Sequence, residues 1–211
     1  MKWVENGIAD VAYLCSDEKK NVLLIGDSIR IGYCGTVKEE LAAVAEVFYP
    51  PENCRSTQNT ITSLKKWAAL LSDPDKIDLV HFNCGQWDVA HWNGYEFSLT
   101  SEDEYARNIS MLIFLLKKFF KNAKLVFATT SPMNPLVDTM PAVNPRNNAE
   151  VNRYNEIAVE VCNRACVPVN DVHGYMCEWG SECYTDTCHL TKEAFEVLGK
   201  EIAKRIKEYL N

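Results

Sequence analysis

No stretch of this sequence concentrates positive charge. Lys and Arg number 22 against 29 Asp and Glu, a formal net charge of -7, with both signs interspersed along the length. A nucleic-acid-binding surface needs a clustered basic face, so no nucleic-acid partner is expected. A long apolar run is also missing. The longest, Met111 to Leu116, is far short of the ~20 residues that span a bilayer, and no membrane span is expected. Met1 to Cys15 include Glu5 and Asp10 and hold no continuous apolar core of the kind that marks a secretory leader. The expectation is a cytoplasmic chain, with a processed secreted form left open. No CxxC pair occurs among the nine cysteines, so local spacing suggests neither a redox motif nor a zinc knuckle. Internal repeats and low-complexity linkers are absent as well.

What is there is ordinary globular composition: 47% hydrophobic and 24% charged residues over 211 positions. That suits one domain, residues 1–211, with a sizeable core. Cys34, Cys84 and Cys162 sit in or beside apolar segments, where a free cysteine acts as a small buried hydrophobe. Most of the nine are expected to be reduced. Cys177, Cys183 and Cys188 crowd into one loop and could be free, bridged (177 with 183) or, with His173 and His189, bound to a metal. The spacing matches no common zinc pattern, and the reading adopted is no metal and no cofactor.

Five short β-rich runs alternate with helix-length segments: Asn21 to Ile25, Ala43 to Tyr49, Asp78 to Asn83, Lys124 to Thr130 and Val167 to Val172. Apolar strands separated by helices indicate βαβ units and a parallel sheet covered on both faces. The fold class predicted is α/β, a flavodoxin-like three-layer α/β/α sandwich with a five-stranded parallel sheet. Helical periodicity is clear over about 102–120, about 148–166, and after Thr191, where Phe195, Leu198, Ile202, Ile206 and Tyr209 recur at three and four. Ser131 to Arg146 holds four prolines and can be neither regular helix nor central strand. It leaves the fourth strand and is expected to hang over the ligand side of the sheet.

In open parallel sheets the site lies at the carboxyl ends of the strands, at the switch point. With strand order 2-1-3-4-5 that point brings together Gly26-Asp27-Ser28 and Asn83-Cys84-Gly85. The segment Asp186-Thr187-Cys188-His189, before the last helix, can reach the same edge. On GDSI at 26–29, NCGQWD at 83–88 and DTCH at 186–189, the chain resembles the SGNH/GDSL hydrolases. GDS alone is weak; GDS after an apolar strand together with DxxH before a C-terminal helix is much stronger.

The resemblance implies Ser28 as nucleophile, His189 as general base and Asp186 as the group that orients it. A serine hydroxyl needs an imidazole to accept its proton, and a carboxylate to fix the imidazole tautomer. For the oxyanion hole the Ser28 N–H is one natural donor. The family supplies others from a glycine after the second strand and from the asparagine of a GxND motif. This chain departs at both, reading Asn53 to Asn59 without glycine and GQWD with Trp87 at the asparagine's place. A backbone N–H of Ser56 or Thr57 and the Asn83 side chain are the expected substitutes. Asp27, Asn59, Gly85 and Trp87 are expected to line the substrate. His173, two residues after Asp171, is the rival base; His81 is expected in the core, and His91 either contacts substrate or is exposed.

The function expected is a serine esterase or acylhydrolase working through an acyl-Ser28 intermediate. The partner would be a small-molecule or carbohydrate ester, of acetyl-like chain length. A lysophospholipase or thioesterase, a noncatalytic binding module on the same fold, and a phosphate-binding flavodoxin-like protein are the alternatives. The acyl group, the alcohol and the oligomeric state are not legible in the sequence.

Overall fold

A computed structural model describes residues 12–211; the leader argument over the first residues lies largely outside them. Five strands form one sheet: β1 (Lys20–Ile25), β2 (Ala45–Phe48), β3 (Leu79–Phe82), β4 (Lys124–Ala128) and β5 (Val169–Asn170). All neighbours are parallel and the order is β2-β1-β3-β4-β5. The helices are α1 (Ser28–Leu41), α2 (Thr57–Ala68), α3 (Glu102–Phe119), α4 (Asn148–Arg164), the short α5 (Val172–Met176) and α6 (Lys192–Leu210).

The sheet is apolar on both faces because helices cover both. Alternate residues of β1 point to opposite sides. Leu23 and Ile25 join Leu64, Ile109, Leu112 and Val151 beneath α2, α3 and α4. Val22 and Leu24 join Val37, Leu198 and Ile202 beneath α1 and α6. This is the three-layer sandwich expected from the sequence. Among the described residues no helix is long and apolar enough to cross a membrane.

The long helices begin where side-chain caps satisfy otherwise orphaned N–H groups. Asp27 caps α1, Ser56 caps α2, Ser101 caps α3, Asn147 caps α4 and Thr191 caps α6. The fifth strand is shorter than expected. Asp171 accepts from the Gly174 N–H at 2.9 Å and starts α5 at Val172, so capping overrides the β-branched run there.

Helices α1 and α6 pack closely, and this contact joins the two ends of the chain's chemistry. At Gly199 an added Cβ would lie 2.6 Å from Thr36 Cβ and 3.2 Å from the Tyr33 carbonyl oxygen. Only glycine permits that approach. It holds α6 against the middle of α1, the helix that Ser28 begins.

Candidate active site

Ser28 is the first residue of α1, immediately after β1. Asp27 before it is 1% exposed. Its Oδ1 accepts from the Ile29 N–H at 2.9 Å, and burial pushes its carboxyl above the usual range. The expected substrate contact from Asp27 is therefore corrected: this carboxyl is a buried helix cap, closed to substrate.

Residues 184–190 close on themselves through an antiparallel bridge between Tyr184 and Leu190, and the Thr185 N–H donates to the His189 carbonyl at 2.8 Å. Inside this loop Asp186 Oδ1 accepts the backbone N–H groups of Cys188 at 2.9 Å and His189 at 2.7 Å. Asp186 Oδ2 lies 2.7 Å from His189 Nδ1. His189 Nε2 lies 2.9 Å from Ser28 Oγ. A carboxylate only accepts, so Nδ1 carries a proton, and in the neutral ring Nε2 faces the serine hydroxyl as an acceptor. The sequence-predicted trio is thus brought into one hydrogen-bonded line across 161 residues of chain.

Burial opposes ionisation of Asp186, yet the His189 and Cys188 N–H groups hold its carboxyl below the ordinary range. For His189, the Cys188 sulfur 3.8 Å from Nδ1 and the Asp186 carboxylate both favour the protonated ring. Against burial they push it up to about 9.

The proline-rich segment 131–146 does lie over this edge, and it holds the loop in place. The Asn134 N–H donates to the Thr187 carbonyl at 2.9 Å, and Asn134 Nδ2 donates to the Asp186 carbonyl at 3.1 Å. Tyr184 Oη donates to the Pro132 carbonyl at 3.3 Å. Arg146 donates to the Gln86 carbonyl, tying the same segment to the GQWD turn. Asn134 and Arg146 carry no sequence signal for this role. Only the four prolines pointed to this segment, and they signal irregular backbone without naming its anchors.

The remaining expected residues fall out unevenly. Asn83 is corrected as an oxyanion donor, because Nδ2 donates to the Ala128 carbonyl at 2.8 Å and Thr130 Oγ1 at 3.2 Å, which uses both protons. Asn59 Nδ2 donates to the Cys54 carbonyl at 2.9 Å, so its side chain braces the turn before α2. Ser56 spends its hydroxyl on the Asn59 N–H as the cap of α2. The turn leading to it does use left-handed backbone, but at Arg55 (φ 58) where a glycine would adopt it freely. Gly85 is buried against Thr130, whose Oγ1 would sit 2.0 Å from an added Cβ. Trp87 is half-buried, its ring 5.1 Å from that of Trp92 and 5.5 Å from the Arg55 guanidinium. Asp88, which closes GQWD, is buried and accepts from Thr57 Oγ1 at 2.6 Å and Thr100 Oγ1 at 2.9 Å; it pins α2 to the turn.

His173 is not paired with Asp171, whose Oδ1 is taken by Gly174 and Thr129. His81 is fully buried and bonded to Asn170 at 3.1 Å. His91 bridges the Tyr95 carbonyl at 3.0 Å and Glu150 at 2.8 Å. The Glu150 carboxylate raises its pKa first of all, so it clamps loop to helix. All nine cysteines are free thiols, and no bridge joins Cys177 to Cys183. The expected metal alternative spanning His173 to His189 does not assemble. Among the described residues only Asp186, Cys188 and His189 bring three ligand atoms together, all within 4.8 Å.

No protein-family model matches the chain. It is 25% identical over 138 residues to a GDSL esterase/lipase of Oryza sativa subsp. japonica, covering 62% of this chain and 53% of that protein. The chain spans about half the length of the curated relatives it matches. Among solved structures it is similar to a lipase/acylhydrolase from Enterococcus faecalis, with TM-score 0.72, 21% identity and coverage of 91% of this chain and 97% of that one. It is also similar to a carbohydrate acetylesterase from Sinorhizobium meliloti, with TM-score 0.68, 16% identity and coverage of 90% and 100%. The fold is that of the SGNH/GDSL-type hydrolases. The sequence likeness to GDSL esterase/lipases falls in the same class.

Proposed function

We propose that this chain is a serine esterase that cleaves a carboxylic ester through an acyl-Ser28 intermediate. The observation that carries the reading is the Ser28–His189–Asp186 line, at 2.9 and 2.7 Å. Ser28 Oγ attacks the ester carbonyl carbon as His189 Nε2 takes its proton. The oxyanion sits at the amino end of α1, where the Ser28 N–H and the positive end of the helix dipole face it. The Ser56 N–H is the second donor in this reading. Collapse expels the alcohol, which takes the proton from Nε2, and water then repeats the sequence on the acyl-serine.

The substrate favoured is an acetyl-like ester on a carbohydrate. Two fold neighbours are named an acetyl xylan esterase and a carbohydrate acetylesterase. A second reading, a lipid acylhydrolase, draws on Tyr95 and Phe97, 65% and 62% exposed on the loop that follows β3.

The test is hydrolysis of p-nitrophenyl acetate, butyrate and longer esters by the wild type and Ser28→Ala, followed by acetate release from acetylated xylo-oligosaccharides. Activity lost in Ser28→Ala and falling with acyl length supports the sugar-ester reading. Rates rising with acyl length favour the lipid reading. Equal rates in both proteins sink the Ser28 mechanism.

A further inference from the structure

Cys188, one of the two residues between the acid and the base of the trio, transfers no proton in the reaction just described. Cys188 is a free thiol, and its Sγ lies 3.8 Å from His189 Nδ1. Asp186 Oδ2 is 2.7 Å from the same nitrogen. The Asp186 and His189 side chains are 50% and 42% exposed, so a hydrated cation meets the carboxylate and the ring from solvent, with the buried Cys188 thiol (8% exposed) behind them.

We propose that Asp186, Cys188 and His189 form a binding site for a borderline-soft divalent cation such as zinc, and that its occupation switches the esterase off. The donor set is one carboxylate oxygen, one imidazole nitrogen and one thiolate sulfur, formed as the Cys188 thiol releases its proton to solvent; these are the three ligand types zinc takes in proteins. Zinc bonds to nitrogen at about 2.0 Å and to sulfur at about 2.3 Å in a tetrahedron, which sets those two donors about 3.5 Å apart. Sγ and Nδ1, 3.8 Å apart, are close to that spacing; the three ligand atoms lie within 4.8 Å, and Asp186 Oδ2, 2.7 Å from Nδ1, must swing back to about 3.3 Å to complete the tetrahedron. Sulfur selects zinc over the hard cations magnesium and calcium, which prefer oxygen. Three protein ligands leave the fourth position to water.

The consequence for catalysis follows from the ring's two nitrogens. A cation on Nδ1 takes the place of the proton that now points at Asp186, and the neutral ring must then hold its proton at Nε2. Nε2–H donates to Ser28 Oγ and cannot accept from it. The serine loses its base while every residue of the trio remains in place. The effect on turnover rests on the proposed esterase reading; the binding does not.

The experiment keeps the two apart. Cobalt(II) is titrated into metal-free wild type and Cys188→Ser, and the near-ultraviolet thiolate-to-cobalt absorption is recorded. Contributions from Cys166 and Cys177, the exposed thiols, are common to both proteins and cancel in the difference. In parallel, p-nitrophenyl acetate hydrolysis is measured with and without zinc, each protein against its own metal-free rate. The expected result is a one-equivalent band present only with Cys188. It is accompanied by loss of the wild-type rate in zinc, restored by a chelator, and by a zinc-insensitive Cys188→Ser. Absence of a Cys188-dependent band, or equal zinc inhibition of both proteins, overturns the proposal. A Cys188-dependent band in a protein that hydrolyses no ester upholds the metal site and counts against the esterase reading.

Discussion

At the residue scale, the proposed mechanism makes the protonation state of His189 decide when Ser28 can react. Nε2 must be unprotonated to accept the serine proton, and the ring is pushed up to about 9 by Cys188 and Asp186 against its burial. Below that value the imidazolium dominates. The expected profile of kcat/KM therefore climbs with pH, is half-maximal at about pH 9 and levels off above it. Asp186→Asn removes the negative charge from Nδ1 and favours the wrong tautomer. Its kcat should fall by about 10³–10⁴, with the remaining activity levelling off at lower pH. Rates on p-nitrophenyl acetate, corrected for spontaneous hydrolysis, test both. A flat profile between neutrality and pH 9 would contradict the account.

At the element scale, the geometry depends on how loops and helices are held together. Asn134 reaches the Asp186 and Thr187 carbonyls from the proline-rich segment, so Asn134→Ala should loosen the acid loop without opening the core. We expect kcat to fall about tenfold, a modest misplacement of a catalytic group, with little change in thermal midpoint. Gly199→Val is the converse case. Its side chain would press on Thr36 and the Tyr33 carbonyl, and overpacking of this kind costs about 1–3 kcal/mol. For a chain of this size that lowers Tm by roughly 2–4 °C per kcal/mol, readable by calorimetry. These elements also mark what the sequence disclosed. Strand runs such as Asn21 to Ile25 and the spacing within DTCH are local patterns, and both were legible. The commitments of Asn83 were not, because its partners Ala128 and Thr130 lie 45 and 47 residues away. Asp27 was misassigned for a related reason: a good helix cap and a ligand-facing acid have the same residue type, and only burial tells them apart.

At the scale of the whole molecule, the sheet centre holds a titratable group whose effect reaches the stability of the entire fold. His81 on β3 is fully buried, and its Nε2 accepts from Asn170 Nδ2 at 3.1 Å. Nδ1 therefore carries the single proton of a neutral ring, and desolvation pushes the pKa down to about 4. Between that value and the ordinary histidine value the unfolded chain binds a proton that the folded chain refuses. Stability from this group is present above the unfolded pKa and is lost as pH falls through the folded one. Asp88 acts in the opposite sense. Burial raises it to about 6, so the folded state takes up a proton there before the unfolded chain does, and stability rises as pH falls across that range. The wild-type curve is the sum, and a single protein cannot separate the two. His81→Gln removes only the first. Urea unfolding of both proteins at about pH 7.5 and about pH 4.5 should show that the variant loses about 2 kcal/mol less than the wild type across that interval. Any uniform cost of placing glutamine in the sheet cancels in this double difference. Equal losses in the two proteins would mean that His81 takes up its proton without unfolding the sheet, and that the core opens to water at β3.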